Sequence, residues 1–189
     1  MLPDLGYSCS HTTRPKRFGE EEGREYFFIT DEEFRRRIEA GDFLEYANVH
    51  GHLYGTSLTE SRKVSNTGKD LIVEVDVQGA LQIMEKKELD GMRISTFILP
   101  PSFEVLRARL TSRNTEDEAE LRTRLKNSFN EVMQYEKFDY VIVNEDLSTA
   151  ARQIHAIILA SRQTTHRQMN AIRGILDSFD ASRHLFEGE

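Results

Sequence analysis

The chain has 189 residues, of which 38% are hydrophobic and 30% charged, and its formal net charge is -7. This composition is that of one globular domain with a real core, and the negative charge argues against a general binder of nucleic acid or anionic membranes. Because Cys9 is the only cysteine and the N-terminus has no signal-peptide pattern, we expect a soluble cytoplasmic protein without disulfides or a thiolate zinc site.

The first third of the chain carries an arginine-rich turn and two tyrosines that could serve one phosphate. In SCSHTTRPKR, Arg14 and Arg17 flank a proline, and two guanidinium groups can grip a phosphoryl group through charge-assisted hydrogen bonds. Tyr26 and Tyr54 can each add a neutral hydroxyl donor. From these residues alone, a solvated basic loop is the commoner interpretation.

A short helix is predicted directly after this stretch, in TDEEFRRRIEAG. Thr30 and Glu33 have capping-box spacing, Phe34 and Ile38 fall on one face, and Gly41 stands where the helix should stop. Such a helix would cover one side of an inserted subdomain.

Acidic residues form the second candidate site. Glu45 and Asp76 are a pair of acidic positions, with Glu74 on the same strand face as Asp76, and one carboxylate can accept hydrogen bonds from two adjacent N–H donors. Guanine offers such a pair at N1 and N2 and adenine does not, so a buried glutamate would select guanine. Thr56 could add a hydroxyl, and the alternative for a glutamate in an acidic protein is an ordinary surface charge.

Three short β-branched runs predict buried parallel strands: DLIVEVD at 70–76, STFILPP at 95–101 and YVIVNED at 140–146. Segments with helical spacing follow them, which is typical of an α/β sheet with crossover helices. A further helix is predicted from near Glu118, with a core face formed by Leu121, Leu125, Phe129, Val132 and Met133. The polar segment 112–120 before it should be exposed.

Taken together, these segments resemble the guanylate kinase family over about Gly6 to Ala160. The phrases SCSHTTRPKRFGEEEGREYFF, FLEYANVHGHLYGT, IVEVDVQGA, FILPPS and VIVNED occur in the family's order and at its spacing. The resemblance implies one α/β domain over 1–189, with the parallel sheet of P-loop nucleoside-monophosphate kinases. A GMP-binding subdomain would lie at about 12–66 and a lid at about 112–126.

The resemblance also implies roles for individual residues. The guanine contacts would be Ser10, Glu45 and Thr56, and the contacts to the GMP phosphate would be Arg14, Arg17, Tyr26 and Tyr54. Asp76 and Glu74 would lie beside the acceptor and Mg²⁺, with Asp76 joining Arg14 in catalysis. The lid arginines would be Arg109, Arg113 and Arg124, with Asn144 and Arg109 near ATP. From the residues alone, a solvated helix face is the favoured interpretation of these three arginines.

The sequence departs from the family in one chemical feature. No G-x-x-x-x-G-K-[ST] string occurs in it, and the family's first strand, P-loop and first helix should precede SCSHTTR. The resemblance implies transfer from ATP to GMP to give ADP and GDP, but without that loop ATP binding is in question while GMP binding is expected. Left open are a start codon assigned too late, a non-catalytic module that binds a phosphorylated peptide, and a non-functional remnant.

Overall fold

A computed structural model describes residues 3–49, 51–112 and 118–183. The chain divides into two compact units, Met1–Leu89 with Glu116–Gln134, and Asp90–Thr115 with Tyr135–Glu189. The strands are β1 (Leu5–Tyr7), β2 (Ser10–Thr12), β3 (Tyr26–Phe28), β4 (Phe43–Val49), β5 (His52–Ser57), β6 (Asp70–Ile72), β7 (Thr96–Leu99) and β8 (Tyr140–Val143). The helices are α1 (Asp31–Glu39), α2 (Leu58–Ser65), α3 (Val77–Met84), α4 (Phe103–Ser112), α5 (Glu118–Val132), α6 (Leu147–Arg162) and α7 (Thr165–Ser182), with 3₁₀ turns at Lys87–Leu89 and Tyr135–Lys137.

In the first unit, β1 and β6 form a parallel pair, with Leu5 opposite Asp70 and Tyr7 opposite Ile72. The pairing ends with the Ser8 backbone N–H, which donates to the Ile72 carbonyl at 2.9 Å before the chain enters β2. The predicted strand 70–76 is therefore too long, because residues 73–76 lie outside any strand and lead into α3. Strand length depends on how far the partner strand extends, and the apolar run does not encode that.

The second sheet of this unit has four strands in the order β3-β2-β5-β4. β2 and β3 run parallel, while β5 is antiparallel to both β2 and β4. The β4–β5 register shifts between Phe43 and Glu45, as at a β-bulge. Because the shift interrupts the alternation of faces, Phe43, Leu44 and Glu45 are all buried, at 7%, 7% and 5% exposure. The bulge thus turns a carboxylate inward.

Helix α1 forms as its caps predict and closes the core beside this sheet. The Thr30 hydroxyl accepts from the Glu33 backbone N–H, and Gly41 follows the helix with φ 68°, a left-handed conformation that glycine adopts without strain. Phe34 is fully buried and stacks on Phe43 at 4.4 Å between ring centroids. The amphipathic spacing of α1 therefore places its apolar face against the strand that carries Glu45.

The second unit contains the parallel pair β7–β8, in register from Thr96 opposite Tyr140 to Leu99 opposite Val143. The parallel pairing agrees with the predicted sheet, but the expected burial is wrong. Only Phe97 and Ile142 are buried, whereas Ile98 is 50% exposed. In this register Phe97 shares a face with the exposed Val141, and the exposed Ile98 shares a face with Ile142, so an isolated pair of strands leaves side chains on both faces open to solvent.

Helix α5 begins at Glu118, as its spacing predicts, but its apolar face is not fully buried. Phe129 and Met133 are 61% and 68% exposed, so assigning these two positions to the core is wrong. Helical spacing gathers apolar side chains on one face and does not determine whether another element covers them. No helix within the described ranges is long and apolar enough to cross a membrane.

Candidate functional site

The centre of the candidate site is the buried carboxylate of Glu45. Glu45 pairs across the β4–β5 ladder with Thr56, whose backbone N–H donates to Glu45 Oε1 at 2.9 Å. Burial raises the pKa of Glu45, and the nearby Asp76 carboxylate raises it further, against the lowering effect of hydrogen bonds from Thr56. Because burial disfavours its charged form, further N–H donors that reach this carboxylate would stabilise its charge.

Two hydroxyls lie next to this carboxylate. The Ser10 Oγ and Thr56 Oγ1 atoms are 3.3 Å apart, and either can donate to the other. They meet because β2 and β5 are antiparallel neighbours. The structure therefore brings together the three residues predicted as guanine contacts.

Asp76 occupies the N-cap of α3, where its Oδ1 accepts from the Gly79 backbone N–H at 2.8 Å. The side chains of Asp76 and Glu74 are both exposed. The described residues contain no cluster of three or more side chains suited to a metal ion. A Mg²⁺ ion here would take most of its ligands from nucleotide phosphates and water, as that ion commonly does, with Asp76 as the available carboxylate.

A second group of side chains surrounds the Arg14 guanidinium. Arg14 Nε donates to the Tyr54 hydroxyl at 3.2 Å, and its guanidinium carbon lies 5.6 Å from the Tyr26 ring centroid. The Tyr26 and Tyr54 rings meet edge to face at 5.7 Å between centroids. Burial raises the pKa of Tyr26, with a further contribution from Tyr54, so its hydroxyl stays protonated as a donor. Three of the four predicted phosphate contacts thus lie together.

The fourth, Arg17, does not join them through its side chain, which is exposed. Its backbone N–H instead donates to Glu20 Oε2 at 2.7 Å, while Glu20 Oε1 pairs with an Arg14 terminal nitrogen at 2.7 Å. This hydrogen bond from Arg14 lowers the pKa of Glu20 and raises that of Arg14. Sequence reasoning missed Glu20, although an acidic residue just after RPKR is a signal for such a pair.

The remaining predicted site residues lie elsewhere. On α4, Arg109 donates from Nη2 to the Glu145 carbonyl at 3.0 Å. Asn144 follows β8, and its backbone N–H donates to the Leu99 carbonyl at 2.7 Å. Arg124 is on α5, and Arg113 lies outside the described residues. Their predicted roles around ATP and in the lid stay predictions.

The fold agrees with the class of P-loop nucleoside-monophosphate kinases. The structure matches the crystal structure of guanylate kinase from Anaplasma phagocytophilum with a TM-score of 0.76 and 37% sequence identity, over 93% of this chain and 85% of that chain. The guanylate kinase family model matches residues 3–161. The chain therefore belongs to the guanylate kinase family.

Curated relatives agree with this assignment. The guanylate kinase of Thermotoga maritima is 43% identical over 171 residues, which cover 90% of this chain and 81% of that protein. The guanylate kinase of Caldanaerobacter subterraneus is 45% identical over 159 residues, or 84% of this chain and 76% of that protein. Similarity at this level extends well beyond the short phrases in which the resemblance was first noticed.

Proposed function

We propose that this chain provides the acceptor site of a guanylate kinase and binds GMP as the molecule to be phosphorylated. The observation that carries the proposal is the buried Glu45 carboxylate, which lies beside two hydroxyls in the same unit as an arginine–tyrosine cluster. One end of this arrangement suits the hydrogen-bonding edge of guanine and the other suits a phosphate.

The base would be selected by hydrogen-bond matching. Guanine presents N–H donors at N1 and N2, and the Glu45 carboxylate can accept from both while it keeps the Thr56 backbone N–H. The Ser10 and Thr56 hydroxyls can donate to the guanine carbonyl oxygen. Adenine has no donor at N1, so Glu45 would be left buried with a desolvated, unpaired charge.

The phosphate would be bound by Arg14, Tyr26 and Tyr54. The Tyr54 hydroxyl accepts from Arg14 Nε, so its own proton is free to be donated to a phosphate oxygen. In this structure the Arg14 terminal nitrogen binds Glu20 instead. An incoming phosphate would therefore share Arg14 with the Glu20 carboxylate or replace that carboxylate, which is itself an anion held by Arg14.

The donor side of the reaction would be supplied by ATP with Mg²⁺, which neutralises charge on the transferred phosphoryl group. The chain's own residues would orient GMP so that a phosphate oxygen faces the donor, and the transfer itself needs no covalent intermediate on the protein. Arg109, Arg113 and Arg124 would stabilise the transferred charge, and Asn144 would lie near adenine. The 189 residues contain no glycine-rich phosphate loop, so the usual backbone cradle for the ATP phosphates is not among them.

A non-catalytic module that binds phosphorylated peptide could use the same arginine and tyrosines. It would have no use for a buried carboxylate that faces two hydroxyls. Glu45, at 5% exposure with a raised pKa, is costly to keep unless a ligand pairs with it. For this reason we favour the nucleotide acceptor site.

Calorimetric titration of the full chain with GMP, AMP, guanosine and a phosphoserine peptide tests the proposal. GMP should bind about 5-fold to 150-fold more tightly than AMP, because one buried acceptor left unpaired costs roughly 1 to 3 kcal/mol. Guanosine should also bind more weakly than GMP. Equal affinity for GMP and AMP would refute the guanine assignment, and peptide binding without GMP binding would favour the alternative module.

A further inference from the structure

The Glu45 carboxylate lies directly against the backbone of Gly79 in the first turn of α3. A Cβ atom built on Gly79 would lie 2.6 Å from Glu45 Oε2 and 3.1 Å from Glu45 Cδ. Its backbone does not require glycine, because its φ is not in the left-handed region. Alanine would favour the helix by about 1 kcal/mol, so helix formation does not explain this glycine. Close approach of the carboxylate does.

This contact completes the immobilisation of Glu45. Oε1 accepts the Thr56 backbone N–H from β5, and Oε2 faces α3 at Gly79. The carboxylate is thereby wedged between a strand and a helix, in one orientation. A group that reads two adjacent donors depends on such orientation, since a small rotation breaks one hydrogen bond of the pair.

One turn further along α3, Gln82 fixes the same strand through its backbone. The Tyr46 N–H donates to Gln82 Oε1 at 3.1 Å, and Gln82 Nε2 donates to the Tyr46 carbonyl at 2.8 Å. β4 is an edge strand of the four-stranded sheet, so the Gln82 amide pairs with backbone groups that no further strand takes. Residues i and i+3 share a helix face, so Gly79 lies against Glu45 and Gln82 contacts the next residue of the strand, Tyr46.

We propose that Gly79 and Gln82 are positioning residues for guanine selectivity: α3 approaches β4 closely only because residue 79 has no side chain, and Gln82 holds the two elements in register. The inference rests on the proposed GMP site and adds which residues set its selectivity. Neither residue touches the nucleotide in this account. Each acts through Glu45.

The test compares binding of GMP with that of IMP, whose base has the N1 donor and lacks the N2 amino group. In the full chain, Gly79→Ala should lower the ratio of GMP to IMP affinity about tenfold, because the displaced carboxylate loses its hydrogen bond to the guanine N2 amino group, the donor that IMP lacks. Gly174→Ala is the matched control, since that helical glycine has open space where a Cβ would sit. It should leave the ratio unchanged.

A double-mutant cycle separates positioning from general damage. Glu45→Asp shortens the side chain by one methylene and withdraws the carboxylate from residue 79. Adding Gly79→Ala to Glu45→Asp should then change the ratio by less than about twofold, whereas additive losses would contradict a steric effect on Glu45.

A second variant keeps the inference testable if Gly79→Ala does not fold. Gln82→Ala adds no bulk to the interface, and it should lower the GMP-to-IMP ratio about threefold because the register of β4 on α3 is loosened. An unchanged ratio in every variant that folds would overturn the inference and leave GMP recognition standing. A parent chain that binds GMP and AMP equally would overturn both.

Discussion

The four-stranded sheet of the first unit and the β7–β8 pair of the second bury their side chains to different extents. Thr12 and Thr56 in the sheet are fully buried, as is Phe34 on the helix beside it. On the parallel pair, Ile98 and Val141 are 50% and 43% exposed although they are apolar. Four strands with a helix across them close a core, whereas an isolated pair of strands leaves side chains on both faces exposed to solvent.

The difference indicates where the proposed chemistry depends on local structure. The proposed GMP contacts come from the closed region, whose strands and helix are near one another in sequence. Residues predicted to serve ATP, such as Arg109 and Asn144, come from the unit with the open strand pair. GMP binding and phosphoryl transfer should therefore separate experimentally, and GMP binding should be the more robust of the two.

The largest expected effect is on transfer itself. The 189-residue polypeptide should bind GMP and yet form GDP from ATP and GMP at a rate indistinguishable from background. Positioning of reactants can supply roughly 7 to 11 kcal/mol of a barrier, and no glycine-rich loop in this sequence is available to position the triphosphate. A coupled assay for GDP, run beside calorimetry with GMP on the same sample, checks both halves.

Measurable GDP formation that depends on ATP would break the separation between the two regions. It would mean that the chain holds a triphosphate by groups other than the familiar loop. Replacement of Arg109 by Ala would then show whether the second unit takes part, because a loss of rate without a loss of GMP affinity points to the donor side.

The next largest effect is expected at the phosphate end of the GMP site. Arg14→Ala should weaken GMP binding roughly 10-fold to 100-fold while guanosine binding stays nearly unchanged, because a charge-assisted hydrogen bond contributes about 1.5 to 3 kcal/mol. Calorimetry at low and high salt measures both ligands, and salt should weaken GMP binding in the parent more than in the variant.

Arg35→Ala is the matched control for this variant. Arg35 is an exposed arginine of α1 that pairs with Asp31 at 2.5 Å, outside the proposed site. It should leave both affinities unchanged. Equal weakening of GMP and guanosine by Arg14→Ala would show that Arg14 supports the fold of the site and does not bind the phosphate.

Replacement of Glu45 is expected to have a smaller effect, which lowers GMP affinity and raises thermal stability. Glu45→Gln should cost about 1 to 3 kcal/mol of GMP affinity, since an amide has one acceptor oxygen where the carboxylate has two. The same change should raise the unfolding temperature at neutral pH. The folded-state pKa of Glu45 lies above its ordinary value, so ionisation of this buried group works against folding as pH rises through that pKa.

Thermal unfolding and GMP titration at several pH values measure the change in stability and the change in GMP affinity. GMP affinity of the parent should fall as pH decreases toward the raised pKa of Glu45, at higher pH than an ordinary glutamate would produce. Glu32→Gln, at an exposed position on α1, should change neither quantity. A variant that loses stability together with affinity would indicate that the carboxylate supports the fold.

The features that the sequence predicted well are those determined by near neighbours along the chain. Thr30 caps α1 and Gly41 follows it because both depend on contacts three or four residues away. The end of β6 at Ile72 and the exposure of Phe129 depend on which elements pair or cover them. Such tertiary information is absent from the spacing of apolar residues.

The site shows the same division. Ser10, Glu45 and Thr56 were grouped through the family resemblance, and the sheet brings them together through β2–β5 and β4–β5 pairing. The partnership of Arg14 with Glu20 was missed. So was the contact of Glu45 with Gly79, because the sequence does not reveal how closely a helix approaches a strand.

The smallest expected effect is a loss of folding stability at acidic pH, which arises at His11 inside the well-packed sheet. Its ring is 3% exposed and lies 4.8 Å from the Phe27 centroid, and its Nδ1 has no hydrogen-bond partner. Burial lowers the pKa of His11, and the Arg37 cation lowers it further, from an ordinary value of 6.5. The depressed folded-state pKa means that stability is fully present above pH 6.5 and is lost as pH falls below it. The loss arises because the imidazolium must form among aromatic rings and near the Arg37 cation.

Hydrogen exchange, corrected for the intrinsic pH dependence, should locate this effect. Between pH 7.5 and pH 5, amides of β2 and β5 should lose protection, and those of β7 and β8 should change less because neither strand contains a histidine. His11→Phe keeps a ring beside Phe27 and should make the protection of the β2 and β5 amides nearly independent of pH. His155→Gln, at an exposed position on α6, should leave the pH dependence of those amides unchanged. If His11→Phe retains the same slope, the acid sensitivity arises from another group, such as a carboxylate partner of the sheet. The closed region would then owe its stability to charge pairing more than to the burial of its aromatic core.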